Sequence, residues 1–452
     1  MLLYSHIITP RLEYIAEFIG KEILGEAFQL TTNIEQFRNF TGPKINYSNE
    51  AIGDNEFRIS CRSLSGSQLL FEKNISSQEI DCFEINACLP DRQGNKAFFQ
   101  TEGDFPFDIF AASFYLLSRY EEYLPHKKDS YGRYAHENSQ AFKENFLHLP
   151  LINIWLDDFK KALQIKFSSL TIDLPIAIGT PFTFIPTYDI DIAYSYLHKG
   201  WRRNMGGIIK SFVSGHWKAI KERLGVLKGR LQDPYDAYEW LHGIHWQYNL
   251  KPHYFFLVAN KNGKYDKNIL PSKKAMHHLI QAHNQYSVGI HPSWKSGNDP
   301  DKLKHEILKL GHITGKQITS SRQHYIRFDL PKTFRQLINA GIKYDFSMGY
   351  GSINGFRASV ASAFFWYDLE KEEQTKLLLY PFCFMDANSF FEQKFSAEQA
   401  LEELRHYYKV VKSVNGTLIT IWHNNFLGID KKFEGWKEVY KKIISEITQP
   451  RP

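Results

Sequence analysis

The segment FTFIPTYDID, residues 182–191, decides the fold, because it is an apolar run that ends abruptly in two carboxylates. Its Phe, Ile, Thr and Tyr residues favour a β-strand. Five later segments have a similar character, with helical patterns between them: HYFFLVA at 253–259, SVGIHPS at 287–293, ITSSRQHYI at 318–326, IKYDFSM at 342–348 and GTLITIWH at 416–423. Strands that alternate with helices indicate a parallel sheet or a β/α barrel, in which the chemistry lies at the carboxyl ends of the strands.

The chain has 452 residues and changes character near residue 175. Before that point, short strands mix with helical patterns near residues 11–24, 107–122 and 153–166, and no catalytic constellation is evident. Domains usually have ~100–200 residues, so this length fits two or three of them. We therefore predict an α/β protein in two parts, a smaller mixed α+β domain at residues 1–175 and a β/α barrel at residues 176–452.

Composition narrows the classes of function. The net charge is +6, but residues 199–230 hold nine Lys or Arg residues against one Glu, which argues against a general nucleic-acid surface. No run reaches the ~20 apolar residues of a membrane span, and the N-terminus lacks the pattern of a signal peptide. The four cysteines show no CxxC pair or zinc-ribbon spacing. We therefore expect a reduced, cytoplasmic enzyme without a disulfide framework.

Polar residues stand where the predicted strands end: Asp189 and Asp191, His291, Arg322 and His324, and His423. Residues two apart on a strand share a face, so Asp189 and Asp191 would repel each other unless a cation or an arginine lies between them. A histidine such as His423 suits a general acid, because its ordinary pKa lies near neutrality. Asp386, in the segment FCFMDAN, is a candidate to orient it. Taken one at a time, these residues are more typical of a solvated turn, a capping or core histidine, or an exposed strand end, but together they favour a catalytic site.

The segments TYDID, GIHPSW, SRQHY, GFRAS, MDAN and ITIWH, in this order, resemble the motifs of the polysaccharide deacetylases, the NodB-type carbohydrate esterase family 4. The resemblance spans residues 178–430 approximately. It implies a distorted (β/α) barrel that removes acetyl groups from N-acetylated sugars with a divalent metal, usually zinc. The preceding block resembles the N-terminal region of uncharacterised bacterial proteins that carry such a domain, which implies no separate function for it.

The resemblance also implies roles for individual residues. Asp189 corresponds to the catalytic base and Asp191 to a metal ligand, with one residue between them as in some members of the family. His291 corresponds to the first histidine ligand of the second motif. Arg322 corresponds to the arginine that pairs with the base. Asp386 and His423 correspond to the aspartate and the histidine of the last two motifs.

Lys295 departs from the family pattern, because it stands where the second histidine ligand is expected. A protonated lysine has no lone pair for a metal, and catalytic zinc normally has three protein ligands. His324 is our candidate for the third ligand, since it shares a predicted strand face with Arg322. Weaker candidates are Ser293, Ser296 and His253. The remaining alternative is a site that binds metal poorly or not at all.

The resemblance therefore implies a metal-dependent hydrolase that removes an acetyl group from an N-acetylated sugar or glycan. Two alternatives stay open. The same chemistry could act on a linear or cyclic amide that is not a sugar. A non-catalytic carbohydrate-binding barrel with a degenerate metal site would also explain Lys295, although a decayed site would have no reason to keep both the acid and the base.

Residues 205–231 place apolar residues at steps of three and four, which predicts one continuous helical stripe, although Gly215, Gly225 and Gly229 interrupt it. An apolar stripe with Trp217 and flanking Lys and Arg residues is typical of a helix at a membrane surface. An ordinary barrel helix with a solvated basic face has the same pattern, so both interpretations stay open. Because the stretch follows the strand of Asp189 and Asp191, it should lie beside the active-site mouth. There it would let a cytoplasmic enzyme meet a lipid-linked sugar at the inner membrane face.

Overall fold

The computed structural model describes residues 1–61, 66–73, 75, 80–86, 93–168 and 181–448. The N-terminal region, up to residue 168, contains a four-stranded parallel sheet in the order β2-β1-β3-β4 and an antiparallel pair β5-β6. Its strands are β1 Leu2–Ser5, β2 Gln29–Thr31, β3 Lys44–Tyr47, β4 Phe57–Ile59, β5 Cys82–Asn86 and β6 Gln93–Phe98. Its helices are α1 Pro10–Leu24, α2 Ile34–Asn39, α3 Gly66–Phe71, α4 Ile109–Leu117, α5 Gln140–Lys143 and α6 Leu151–Lys166.

Local sequence signals explain two of these helices. The Thr9 hydroxyl accepts a hydrogen bond from the backbone N–H of Leu12 at the start of α1, and Gly25 ends that helix with φ of 78°. At the start of α4, the Asp108 carboxylate accepts the N–H of Ala111 at 2.9 Å. Such caps satisfy N–H groups that have no partner within a helix.

The C-terminal region, from residue 181, is built on a nine-stranded sheet. Its strands are β7 Thr183–Ile190, β8 His253–Leu257, β9 Ser287–His291, β10 Ser320–Ser321, β11 Tyr344–Asp345, β12 Phe364–Asp368, β13 Glu373–Leu379, β14 Phe384–Met385 and β15 Thr417–His423. Its helices are α7 Trp201–Val213, α8 Trp217–Leu227, α9 Tyr238–Gln247, α10 Lys274–Ala282, α11 Pro300–Thr314, α12 Lys332–Asn339, α13 Ala397–Ser413, α14 Asn424–Leu427 and α15 Trp436–Ile447.

The strand order is β12-β13-β11-β10-β9-β8-β7-β15-β14, and every pair except β12-β13 is parallel. The predicted α/β class and the strand–helix alternation are therefore present. Hydrogen bonding between the described residues does not join the two end strands of this sheet. Closure into a barrel stays a prediction.

The two regions pack against each other through a buried ionic cluster. Arg119 Nε donates to Glu122 Oε1 at 2.7 Å, and Arg357 donates to both oxygens of Glu122 at 2.8 and 2.6 Å. One connected hydrophobic core also includes residues from both regions, among them Phe114 and Tyr367, whose ring centroids are 5.2 Å apart. The division near residue 175 falls in residues 169–180, outside the described residues, and it stays a prediction.

Two local expectations are wrong. The segment ITSSRQHYI does not continue as a strand to His324, because β10 ends at Ser321 and a 3-10 turn covers His324–Ile326. Tyr325 and Ile326 take φ of 60° and 53°, which an extended strand does not allow. Residues 205–231 form two helices, α7 and α8, because Gly215 between them takes φ of 70°, a left-handed conformation that ends α7.

No helix in the described part of the chain combines the length and the hydropathy needed to cross a membrane. Cys61, Cys82 and Cys383 are free thiols, and Cys88 lies outside the described residues.

Candidate active site

The two carboxylates that end β7 lie at the bottom of a cleft. Asp189 is the penultimate residue of the strand and its side chain is 2% exposed, whereas Asp191 follows the strand and is 27% exposed. The sheet register aligns Asp189 with His423 on β15 and with Phe255 on β8. Because these strands are parallel, their carboxyl ends deliver side chains to the same edge of the sheet.

Asp191, His291 and His324 form a candidate metal-binding triad, since one ligand atom from each lies within 4.8 Å of the other two. His291 Nε2 is 3.0 Å from Asp191 Oδ1, and His324 Nε2 is 3.5 Å from Asp191 Oδ2. Two imidazole nitrogens and a carboxylate oxygen are a donor set that suits zinc in catalytic sites. His324 reaches this position from the 3-10 turn after β10, not from a strand face.

Both histidines are oriented through their other ring nitrogen. His291 Nδ1 lies 2.6 Å from the carbonyl oxygen of Arg322, and His324 Nδ1 lies 3.1 Å from Asp266 Oδ1. A hydrogen bond at Nδ1 places the proton there and leaves Nε2 with a free lone pair. In metal sites, a carboxylate or carbonyl that accepts the other ring N–H fixes the orientation of a ligating histidine.

The ligand atoms of Asp191, His291 and His324 are better arranged to bind a cation than to hydrogen-bond with one another. Among the described residues, Asp191 Oδ1 is buried and accepts no hydrogen bond, although His291 Nε2 is only 3.0 Å away. Burial alone would raise the pKa of Asp191, but His324 and His291 hold it well below its ordinary value. Burial likewise opposes the charged form of His324, whereas Asp191 and Asp266 raise its pKa to about 9. The negative charge of Asp191 is therefore stabilised by a positive charge next to it, which either a metal ion or a protonated histidine provides.

The weaker candidates for the third ligand lie elsewhere. Ser293 Oγ donates to Glu306 Oε1 at 2.6 Å, and Ser296 Oγ donates to the carbonyl of Ser293 at 2.7 Å. His253 aligns with Thr187, two residues before Asp189, so it lies below the strand ends. Lys295 is exposed.

Asp189 is held by a buried arginine, Arg322. Arg322 Nη1 donates to Asp189 Oδ1 at 3.0 Å and to Thr187 Oγ1 at 2.6 Å, while its Nε donates to the carbonyl of Phe346 at 3.0 Å. The second oxygen, Asp189 Oδ2, lies 3.8 Å from His291 Nε2. One carboxylate oxygen is thus engaged by Arg322, and the other faces the triad.

His423 lies beside the triad, and its two ring nitrogens face different carboxylates. Its Nδ1 is 2.6 Å from Asp386 Oδ1, and its Nε2 is 3.5 Å from Asp191 Oδ2. Burial alone would lower the pKa of His423, but Asp386, Asp191 and Asp189 raise it to about 10. At neutral pH this imidazole holds a proton, with Nε2 directed into the cleft.

The cleft above these residues has a volume of about 640 Å³, and the N-terminal region contributes to its wall. Tyr131 stacks on Tyr325 with ring centroids 5.2 Å apart and planes at 23°. Arg133 Nη1 donates to the carbonyls of Tyr325 and Gly351, both at 2.9 Å. Three lysines lie at the same cleft: Lys267, Lys394 and Lys432.

Sequence reasoning missed two of these contributions. Asp266 lies in the loop after β8, in the segment NGKYDKN, where no strand pattern marks it as a site residue. Tyr131 is far from the β/α part of the chain, and only the packing of the two regions brings it to the cleft. Neither residue carried a local signal that could have identified it.

Comparisons with known proteins found one family model and several similar solved structures. A family model described as “Family of unknown function (DUF7033)” matches residues 1–168. No curated protein matches the sequence significantly.

Several solved structures resemble part of the chain. A “putative polysaccharide deacetylase” from Mycobacterium smegmatis is 12% identical over 59% of this chain and 84% of that chain, with a TM-score of 0.37. A “probable polysaccharide deacetylase” from Pseudomonas aeruginosa PAO1 is 12% identical over 59% and 83%, also with a TM-score of 0.37. A polysaccharide deacetylase from Bacillus cereus is 10% identical over 59% and 88%, with a TM-score of 0.30. At these TM-scores, the similarities carry no conclusion about activity.

Proposed function

We propose that this chain is a metal-dependent hydrolase that removes the acetyl group from an N-acetylated sugar or glycan. The observation that carries the proposal is the convergence of three pairs of side chains: the candidate ligands His291 and His324, Asp189 with Arg322, and His423 with Asp386. A hydrolase of amides needs a group that takes a proton, a group that gives one, and stabilisation of the oxyanion.

Asp191, His291 and His324 would hold the metal, with zinc as the ion that their donor atoms suit best. A divalent metal bound there would act as a Lewis acid on the acetyl carbonyl. His324 supplies the third donor, so Lys295 does not leave the site with only two ligands. This third donor favours the hydrolase over a degenerate, non-catalytic barrel.

Asp189 would act as the base. Arg322 engages Oδ1, so Oδ2 is the oxygen available to take a proton from the attacking water. The hydroxyl oxygen forms a bond to the carbonyl carbon as that proton moves to Asp189. The buried guanidinium also keeps the Asp189 carboxylate oriented toward the triad.

His423 would act as the acid. Its Nε2 proton points into the cleft, and its Nδ1 is held by Asp386. When the C–N bond breaks, this proton passes to the departing nitrogen, which leaves as a free amine beside acetate. The raised pKa of His423 keeps the imidazole protonated until that step.

The cleft wall supports a sugar as the substrate. Aromatic rings offer flat apolar faces with polar edges, which suit the C–H faces and hydroxyls of a pyranose. The stacked pair of Tyr131 and Tyr325 supplies such a face next to His324. The lysines at the cleft add donors for sugar hydroxyls or acidic groups.

The experiment is to incubate zinc-loaded protein with a panel of N-acetylated oligosaccharides and to quantify acetate and free amine separately. We expect the two products in equal amounts, and neither from a His423→Ala variant at a comparable rate. Acetate without amine would identify an esterase that acts on O-acetyl groups. Absence of both products across the panel would contradict the proposal.

A further inference from the structure

The α7–α8 hairpin, residues 201–231, exposes an apolar stripe that the rest of the described chain does not cover. Five residues of α7 recur at helical spacing on one side of the helix, and each keeps at least 46% of its surface exposed: Trp201, Met205, Ile209, Phe212 and Val213. Val213, at the turn, is 80% exposed. Residues of these types are normally buried, and a contiguous exposed group of them marks an interaction surface.

The turn of the hairpin continues this surface. Trp217, the first residue of α8, is 57% exposed and contacts Phe212 edge to face with centroids 5.0 Å apart. Leu224 and Leu227 follow on α8, and Leu231 lies just beyond its end, all at least 39% exposed. Only Val226 and Asn204 are buried among the residues of the two helices.

Basic side chains flank the apolar surface. Lys210, Lys218 and Lys221 are exposed, and residues 199–230 hold nine Lys or Arg residues against Glu222 alone. Arg223 is different, because it donates to Asn204 Oδ1 at 3.1 Å and lies over the Tyr196 ring at 4.5 Å. It therefore holds the two helices together instead of belonging to the free surface.

The hairpin is attached at the mouth of the candidate site. Asn424, directly after His423, donates to the carbonyls of Ile192 and Ala193 before the hairpin and of Tyr235 after it, at 3.2, 3.2 and 2.9 Å. The Asp233 carboxylate also accepts the backbone N–H groups of Ser195, Tyr196 and Leu197, at 2.7 to 2.9 Å. The two ends of the hairpin are thus fixed beside the cleft.

We propose that the α7–α8 hairpin docks this protein onto the surface of an anionic lipid membrane. The positive charge of the hairpin favours a lipid membrane over a second copy of the chain as the binding partner. A second copy placed symmetrically on the same surface would bring two strongly basic segments together, whereas anionic headgroups neutralise them. Exposed Trp and Phe suit the interfacial region, and long lysine side chains reach the headgroups while their stems lie along the apolar face. The inference does not depend on the proposed hydrolase activity.

Co-sedimentation of the full-length protein with vesicles tests this inference. Equimolar phosphatidylglycerol–phosphatidylcholine vesicles should bind the protein, and pure phosphatidylcholine vesicles should bind it much more weakly. Raising salt from ~0.1 M to ~1 M shortens the Debye length from ~10 Å to ~3 Å and should release most of the bound protein.

Two variants separate the charge from the apolar stripe. The triple variant Lys210→Glu/Lys218→Glu/Lys221→Glu should lower the affinity for anionic vesicles by at least ~10-fold, because each basic residue near the surface contributes to attraction. Met205→Ser/Ile209→Ser/Val213→Ser keeps the charge and should also lower it by ~10-fold, through lost apolar insertion. A matched control is Lys304→Glu/Lys409→Glu/Lys441→Glu, three exposed lysines on α11, α13 and α15, which changes the net charge equally and should bind like the wild type.

Three outcomes would overturn the inference. Wild-type protein could fail to bind anionic vesicles. The hairpin variants could bind as well as the control. Sedimentation equilibrium could show a dimer that only the Met205/Ile209/Val213 variant dissociates, which would assign the stripe to a second copy of the chain.

Discussion

His423 and Asp386 meet through two hydrogen bonds at once: the imidazole Nδ1 lies 2.6 Å from Asp386 Oδ1, and the backbone N–H of His423 donates to Asp386 Oδ2 at 2.7 Å. Asp386 is fully buried, and both of its oxygens bind His423, with a further hydrogen bond from the N–H of Ala387. The ring is therefore fixed in one orientation, and its proton is stabilised, before any substrate arrives.

Replacing His423 tests its role as the acid. We expect His423→Ala to lower turnover by ~10²–10⁴, because general acid catalysis contributes by that factor. Asp386→Asn should leave some activity but lower the pKa of His423, so the alkaline fall of the pH–rate profile should begin at a lower pH than in the wild type. An exposed histidine on α10, His278, provides the control, and His278→Ala should behave as the wild type. Turnover of His423→Ala within twofold of the control would reject this role.

Asp266 should strengthen metal binding although it is not one of the three candidate ligands. Because Asp266 orients the His324 ring, Asp266→Asn should weaken zinc binding by ~10–100-fold, the usual effect of losing a hydrogen-bond partner of a ligating histidine. Isothermal titration calorimetry measures this directly. Lys295→Ala should leave the affinity unchanged, since Lys295 is exposed. An equal loss in both variants would mean that His324 is not the third ligand.

Tyr131 should affect substrate binding more than chemistry. Tyr131→Ala removes one ring of the stacked pair and should raise KM by ~10-fold or less while kcat stays near the wild-type value, in line with ~0.5–1.5 kcal/mol for an aromatic contact. The control is Phe142→Ala, an exposed aromatic residue of the same N-terminal region. Steady-state kinetics with an N-acetylated oligosaccharide gives both parameters. A fall in kcat at unchanged KM would place Tyr131 outside the binding surface.

The ionisation of Glu122 should make the free energy of unfolding of the N-terminal and C-terminal regions depend on pH. Burial alone would raise the pKa of Glu122, but Arg357 and Arg119 lower it to about 2. The ordinary value is 4.5, so the stabilisation is complete above pH ~4.5 and is lost as pH falls toward ~2, by roughly 2 kcal/mol at pH ~3. Glu122→Gln should lower the free energy of unfolding by about 3–5 kcal/mol at pH ~7, because buried Arg357 loses its counter-charge and buried Arg119 keeps only Glu121.

Chemical denaturation at pH ~7 and pH ~3 tests this coupling. The wild type should lose more stability than Glu122→Gln over that interval. Glu370→Gln is the control, since Glu370 makes an exposed ion pair with Arg335 and should change stability by less than ~1 kcal/mol. Two separate unfolding transitions, with Glu122→Gln affecting only one of them, would contradict the view that the regions unfold together.

The polar residues at the strand ends could be predicted because the sequence pattern that marks them is local. At Asp189, His291 and His423, an apolar run turns polar within one or two residues, and parallel strands place such residues at a common edge. The register between β7 and β15 then aligns Asp189 with His423. This part of the candidate site depends on strand pattern alone.

Other features depend on backbone turns or on long-range packing, which periodicity does not report. His324 enters the site through a 3-10 turn with positive φ at Tyr325, although its segment looked like a strand. A single residue, Gly215, divided the stretch at 205–231 into two helices. Tyr131 and Glu122 act across regions that are separated by more than a hundred residues of sequence.

The central claim, that metal and Asp189 act together in amide hydrolysis, is tested most directly by acetate release from an N-acetylated oligosaccharide, with the bound zinc measured in the same samples. We expect that chelated wild-type protein releases no acetate, that zinc restores the release, and that Asp189→Asn binds zinc equally but stays inactive. Acetate release that survives complete removal of the metal, or that Asp189→Asn retains at the wild-type rate, would contradict it.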